Sequence, residues 1–199
     1  MRSGIILAGG RSTRFGGGEK SLREVGGRPM ICRVKGSLDN VVDEIIVSVR
    51  DEKQRDLVYP YLREITPFVY DELHDIGPLA GVNACLKAAK GEYVVVVACD
   101  MPFISPEVVD YLFKMAEGHD AAVPVRENGF IEPLHAVYRR EAMIKAVDEA
   151  IRRGRRRIAA PLDYLKDVIY VPVEKLREID PDLKTFVNVN RAEDMPPEQ

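Results

Sequence analysis

The sequence predicts an α/β protein: a doubly wound, mostly parallel sheet with helices on both faces, in a single domain spanning 1–199. Three observations carry that prediction. An apolar run at the N-terminus empties directly into a glycine-rich segment; β-branched runs then alternate with stretches of helical spacing; and Tyr93 to Ala98 is apolar throughout, as a central strand covered on both faces must be. With 199 residues, 46% hydrophobic and 31% charged, the chain suits one sizeable core and is short for two.

Each element follows from local pattern. Gly4 to Ala8 reads as a buried first strand whose C-terminal end delivers the glycine run. Pro29 to Leu38 reads as a helix with proline in its tolerated first turn. Asp43 to Val49 is a β-branched strand, Arg50 to Tyr61 a helix ending near Pro60, and Phe68 to Tyr70 a short strand that hands Asp71 to a loop closed by Gly77-Pro78. Leu79, Val82, Leu86 and Ala89 fall at helical spacing, with Gly91 as the stop. After the strand Tyr93 to Ala98 comes Asp100, and then a helix from Pro106 to about Glu117, for which Ser105 is the N-cap. Ala121 to Val125 and Leu134 to Tyr138 read as strands around the turn Glu127-Asn128-Gly129, and Arg140 to Arg153 as a helix stopped by Gly154. The last third gives a helix over Ile158 to Leu165, a strand over Val168 to Val173, and Phe186-Val187 leading into Asn188-Val189-Asn190.

Ligands of such sheets bind outside the carboxyl ends of the strands, and the residues with chemistry collect there. Leu7-Ala8-Gly9-Gly10-Arg11-Ser12-Thr13-Arg14-Phe15-Gly16-Gly17-Gly18-Glu19-Lys20 combines glycines, which let backbone N–H groups approach phosphate oxygens, with Arg11, Arg14 and Lys20 to neutralise them. A nucleoside triphosphate is the first ligand to consider. The run is neither a P-loop, since Glu19 separates Gly18 from Lys20, nor a dinucleotide fingerprint, since GxGxxG is missing. Asp100, fixed on the end of the most apolar strand, is well placed to hold Mg²⁺, which takes only one or two protein carboxylates beside phosphates and waters. Asp71 reads equally as a substrate contact or as a cap of its own loop.

Other classes are disfavoured. Three widely spaced cysteines, Cys32, Cys85 and Cys99, sit among apolar neighbours and read as small core residues, not a disulfide framework or zinc site. A formal net charge of -3 argues against broad nucleic-acid binding, although Arg152 to Arg157 forms one concentrated basic segment that could meet a small anionic partner. No apolar stretch approaches a membrane span and no signal peptide is expected, which makes the cytoplasm the expected location. Of His74, His119 and His135, none has nucleophile or metal-ligand spacing, and His135 reads as a hydrogen-bonded structural residue.

These residues resemble the nucleotidyltransferases of the MobA-like, molybdopterin guanylyltransferase type. The resemblance rests on Leu7-Ala8-Gly9-Gly10 with Arg14, Phe15, Gly16 and Lys20; on Asp71; on Gly77-Pro78-Leu79-Ala80-Gly81; on Cys99-Asp100-Met101-Pro102; and on Asn188-Val189-Asn190. It implies a Rossmann-like nucleotidyltransferase fold, with a nucleotide-binding half over about 1–105 and an acceptor half over about 106–199. It also implies that Leu7, Ala8, Gly9, Gly10, Arg11, Ser48, Asp71 and Gly81 surround GTP, that Lys20 and Arg14 act on its phosphates, and that Asp100 binds Mg²⁺. The family often has asparagine where this chain has Ser48. Asn188, Asn190 and Arg156, the last within the Arg155-Arg156-Arg157 segment, would face the pterin, although the arginines also read as a solvated helix end.

The implied reaction joins GMP from GTP to the terminal phosphate of molybdenum cofactor (Mo-molybdopterin) and releases pyrophosphate. A phosphate monoester, with a second pKa of about 6, is already a dianion at neutral pH and needs no general base. Repulsion between two polyanions is then the main barrier, for which Mg²⁺, Lys20 and loop arginines are the remedy. The implied partners are GTP, Mo-molybdopterin and, beyond them, molybdenum-insertion or molybdoenzyme-chaperone proteins. Cytidylyl transfer to the same pterin, guanylyl transfer to cobinamide phosphate, and GTP binding without turnover are the competing readings; Asp100 at a buried strand end favours chemistry.

Overall fold

A computed structural model of the chain describes residues 1–9, 19–62, 67–70, 78–190 and 194. Its elements are β1 (Arg2–Leu7), a mini-hairpin of β2 (Glu24–Val25) and β3 (Arg28–Pro29), α1 (Met30–Leu38), β4 (Glu44–Val49), α2 (Glu52–Leu62), β5 (Phe68–Tyr70), α3 (Pro78–Ala88), β6 (Tyr93–Ala98), α4 (Pro106–Ala116), β7 (Ala121–Val125), β8 (His135–Arg139), α5 (Arg140–Arg152), β9 (Val168–Pro172) and α6 (Val173–Leu176). Short 3₁₀ turns occupy Lys20–Leu22, Ala160–Tyr164 and Lys184–Phe186.

Seven strands form one sheet in the order β5-β4-β1-β6-β8-β7-β9. Four neighbouring pairs run parallel, β4 with β5, β1 with β4, β1 with β6 and β7 with β9, while β8 is antiparallel to both β6 and β7. From β1 the chain builds outward through β4 to β5, then returns to the other side of β1 with β6. That reversal opens a crevice at the carboxyl ends of β1 and β6, where the backbone N–H of Cys99 donates to the carbonyl of Leu7 at 3.1 Å.

Strand alternation divides the apolar side chains between two layers. Ile6, Val47, Val95 and Val97 face α1, α2 and α4, whereas Ile5, Ile46, Val94 and Val96 face α3 and α5. Burying each of these side chains contributes roughly 1.5–3 kcal/mol, so β1 and β6 are a rigid base for whatever leaves their ends. Ser105 caps α4 as expected, its hydroxyl accepting from the N–H of Val108 at 3.2 Å. Gly154, at φ +70°, follows α5.

Four local readings differ. The Gly26-Gly27 pair, at φ +56° and +70°, makes the tight turn of the mini-hairpin, so Pro29 belongs to β3 and α1 begins at Met30. The helix expected over Ile158 to Leu165 contracts to the single turn Ala160–Tyr164. Pro60 lies inside α2, where its missing N–H costs one bond two residues before the helix ends. Gly91 does not stop α3, which already ends at Ala88; it allows close approach to β1, since a Cβ there would come within 2.7 Å of the backbone nitrogen of Ser3.

Candidate active site

The loop after β1 and the end of β6 converge on one point. The ammonium of Lys20 donates to Oδ2 of Asp100 and to Oδ1 of Asn190, each at 2.6 Å. Neither Lys20 nor Asp100 is fully solvated, with side-chain exposures of 21% and 19%. Asp100 follows β6 and the buried Cys99, whose thiol pKa is pushed up to about 12 by burial and then by the neighbouring carboxylate, so Cys99 is a protonated core residue. Asn190 arrives from the far end of the chain. Val189 turns inward onto Val25 and Met30 and donates its N–H to the Asp100 carbonyl at 2.8 Å; Asn188 and Asn190, one residue to either side, remain exposed on the open side.

That terminal segment is anchored from below. The hydroxyl of Thr185 accepts from the N–H of Ser105 at 3.1 Å and shares a second hydrogen bond with Nε2 of His135, 3.2 Å away. His135 is fully buried, meets Phe186 edge-on at 4.9 Å between ring centroids, and has its pKa pushed down to about 3 by burial. A neutral imidazole thus ties β8, the start of α4 and the approach to Asn188 together.

The end of the sheet expected to face the nucleotide is built by close backbone approach. Ala8 is held to β4 by its N–H, which donates to the Ser48 carbonyl at 2.9 Å. Gly9 lies so near the Val49–Arg50 backbone that a Cβ would sit 3.4 Å from the Arg50 nitrogen. Ser48 is buried, and its hydroxyl occupies the space a Cβ on Gly81 would need; a larger residue at 81 would displace that hydroxyl. Leu7, Ala8, Gly9, Ser48 and Gly81 therefore share one end of the sheet with Lys20 and Asp100. Gly10, Arg11, Arg14 and Asp71, as well as His74, lie outside the described residues.

Residues 4–168 match the MobA-like NTP transferase domain. This chain belongs to the MobA-like NTP transferase family. It is 46% identical to a relative from Methanosarcina mazei described as a probable molybdenum cofactor guanylyltransferase, over 98% of this chain and 88% of the relative. It is 36% identical to the molybdenum cofactor guanylyltransferase of Desulfosudis oleivorans, over 97% and 92%. Among solved structures it is similar to the molybdopterin-guanine dinucleotide biosynthesis protein A of Archaeoglobus fulgidus, with TM-score 0.79 and 34% identity over 96% of this chain and 94% of that one. A MobA-like NTP transferase is an enzyme of nucleotidyl transfer, and the fold expected from the sequence is the one observed.

Beside the MobA-like center lies an open cavity of about 700 Å³. Its walls run from Ala98, Asp100 and Met101 past Gly129 to Leu134, then to Arg155, Arg157 and Asp163, and close at Asn188 and Asn190. Arg156 is exposed and does not line it; the flanking Arg155, paired with Asp163 at 3.0 Å, and Arg157 do. The donor set suits a divalent cation: among the described residues, Oδ1 of Asp100 is buried without a hydrogen-bond partner, an acceptor whose desolvation needs an electrophile in compensation. Among the described residues no group of three or more His, Cys, Asp or Glu side chains forms a metal cage, and an ion carried in with substrate phosphates requires none. Nor, among them, is any helix long and apolar enough to cross a membrane.

Sequence reasoning missed two polar residues beside this site. In the sequence Glu19 reads only as the residue that interrupts a P-loop, and Gln54 only as part of a helix. Gln54 is fully buried, and its amide nitrogen donates to both the Ala8 carbonyl and the Glu19 carboxylate at 2.8 Å. Asp51 three residues before it, at the start of α2, was the available signal, because Asp-x-x-Gln is a capping-box pattern.

Proposed function

We propose that this MobA-like enzyme transfers GMP from GTP to the terminal phosphate of Mo-molybdopterin, with Mg²⁺, and that the chain divides its work between a nucleotide half over about 1–105 and an acceptor half over about 106–199. The observation that carries the reading is the meeting of Lys20, Asp100 and Asn190 at the edge of the cavity. The relatives' names supply the choice of guanine and of the pterin acceptor.

In the reaction an oxygen of the acceptor phosphate forms a bond to the α-phosphorus of GTP, and the bond from that phosphorus to the bridging oxygen breaks, releasing pyrophosphate with both electrons. A dianionic phosphate brings no proton to be removed, consistent with His135 being buried and neutral and His119 lying on the surface against Asp167. Mg²⁺ held at Asp100 Oδ1 would supply charge neutralisation at the reacting phosphates. Lys20, with its three donors, exchanges Asp100 and Asn190 for phosphate oxygens and stabilises the charge that grows toward the leaving group. Leu7, Ala8, Gly9, Ser48 and Gly81, with Gly10, Arg11 and Asp71, border the nucleotide, and Arg14 is assigned to its phosphates. Asn188, Asn190 and the cavity face the pterin, where Arg155 and Arg157 are better placed than Arg156. Phe130, the one aromatic ring among the described cavity-lining residues and 64% exposed, offers a stacking face to a bicyclic heteroaromatic ring.

Supplying each of the four NTPs with Mg²⁺ and with molybdopterin or cobinamide phosphate, and measuring pyrophosphate with mass spectrometry of the product, tests the assignment. GTP with molybdopterin gives a guanylylated pterin. Turnover with CTP or with cobinamide phosphate in its place, or GTP binding with no product at all, refutes it.

A further inference from the structure

We infer that Gln54 is a positioning residue for nucleotidyl transfer, using one amide to fix both ends of the segment between Ala8 and Lys20. The inference rests on the proposed reaction and adds to it a residue that never reaches the substrate.

The orientation of the amide is forced by its neighbours. Its oxygen accepts from the backbone N–H of Arg50 at 2.7 Å, so its nitrogen must face the two remaining groups, a carbonyl and a carboxylate, both pure acceptors. One donated hydrogen bond holds the Ala8 carbonyl at the point where the chain leaves β1; the other holds Glu19 where it reaches Lys20, both at 2.8 Å. The position of Gln54 is set in turn by Asp51, whose carboxylate accepts from the Gln54 N–H at 2.7 Å and is held below the usual carboxylate range first by that bond. This is a capping box whose second arm is turned to a new use: the glutamine that would cap its own helix reaches back to Arg50 and across to Ala8 and Glu19.

Two consequences follow for Lys20. Its backbone is pinned one residue from a clamp that is fully buried on rigid secondary structure, which fixes the path of its side chain to Asp100. Glu19 is also kept occupied. Its side chain is only 8% exposed, and its Oε1 accepts from Gln54 and from the Ser21 hydroxyl at 3.1 Å. The other oxygen of that nearly buried carboxylate already lies 3.8 Å from the Arg50 guanidinium; deprived of the amide, Glu19 would turn further toward Arg50 and carry the backbone that leads into Lys20 away from Asp100.

The test compares wild type, Gln54→Met, Glu19→Ala, Gln54→Glu and the double variant Gln54→Glu/Glu19→Gln in single turnovers at saturating GTP and in GTP titrations, with thermal unfolding beside them. Gln54→Met and Glu19→Ala should lower the single-turnover rate by about 10- to 100-fold, the scale of an ångström's misplacement, with a smaller change in apparent GTP affinity. Glu19→Ala leaves the Ala8 and Arg50 contacts of Gln54 in place, so it reports on the clamp even if Gln54→Met fails to fold. Gln54→Glu sets two carboxylates together, and adding Glu19→Gln restores one donated bond and recovers part of the rate. Variants that turn over at the wild-type rate, or a double variant no faster than Gln54→Glu, overturn the inference. An inactive wild type would instead indict the proposed reaction.

Discussion

Lys20 and Asp100, 80 residues apart in sequence, meet through a 2.6 Å contact between ammonium and carboxylate. The contact joins the two strands that flank the reversal of the sheet, and Asn190 closes it from a third direction. An ammonium shared between two oxygen acceptors is a stored cation, available to whatever phosphate enters beside it. Lys20→Met is therefore expected to lower kcat by about 100-fold or more, the scale of losing one preorganised donor at developing charge, while GTP affinity falls less. Steady-state kinetics with GTP and acceptor varied in turn would show this; an unchanged kcat would remove Lys20 from the mechanism.

Gly91 gives the opposite signature. A Cβ at this position would lie 2.7 Å from the Ser3 nitrogen and 3.0 Å from the Arg2 carbonyl carbon, contacts with backbone that no rotamer change relieves. Gly91→Ala should destabilise the fold by about 1–3 kcal/mol, with kcat per folded molecule unchanged. Denaturant midpoints and active-site-normalised rates separate the two effects.

Burial of His135 predicts an acid-sensitive fold. Its folded-state pKa, near 3, lies below the roughly 6.5 of an exposed histidine. Between those values the unfolded chain binds a proton that the folded one refuses, so its contribution is complete above the unfolded pKa and is lost as pH falls, by up to about 1.4 kcal/mol per unit. His135→Gln, a neutral residue that can still hydrogen-bond Thr185, should flatten the decline in stability between about pH 6.5 and pH 5, above the range where most carboxylates titrate. Equal slopes in urea unfolding for both proteins would contradict a neutral buried imidazole.

The cavity makes its own prediction. Phe130 is presented by a turn in which Gly129 takes φ +79° and the Phe130 N–H donates to the Asn128 side chain at 3.0 Å. If its ring stacks on the pterin, Phe130→Ala should raise KM for the acceptor by about tenfold or more, the lower end of base-stacking energies, and leave KM for GTP unchanged. Equal effects on both substrates would place Phe130 outside the acceptor site.

What the sequence made legible was the fold and the ends of its inner strands. The glycine run and Asp100 could be assigned to one crevice because unbroken apolar strands deliver their next residues to the same edge of a parallel sheet, and the structure joins Lys20 to Asp100 there. The signals that failed were local patterns whose meaning depends on a partner. Gly91 looked like a helix stop because its true neighbour, Ser3, is distant in sequence. Gly26-Gly27 carried a hairpin signal too short to stand out beside a helix. Gln54 sits among charged residues in a helix with few apolar positions, and becomes buried only because the turn after β4 folds under Ala8. Asn190 could be assigned by resemblance alone; its contact depends on Val189 anchoring the end of the chain against Val25 and Met30.

The central claim is that Asp100, through a divalent ion and an Oδ1 left without a partner among the described residues, makes nucleotidyl transfer possible in this crevice. The most direct measurement is the rate of guanylylated pterin formation by Asp100→Ala against wild type across a Mg²⁺ titration, with thermal unfolding to confirm that both are folded. The account predicts a folded variant whose rate is lower by about 100-fold or more at every Mg²⁺ concentration. A folded Asp100→Ala that forms product at the wild-type rate, with the same dependence on Mg²⁺, would contradict it.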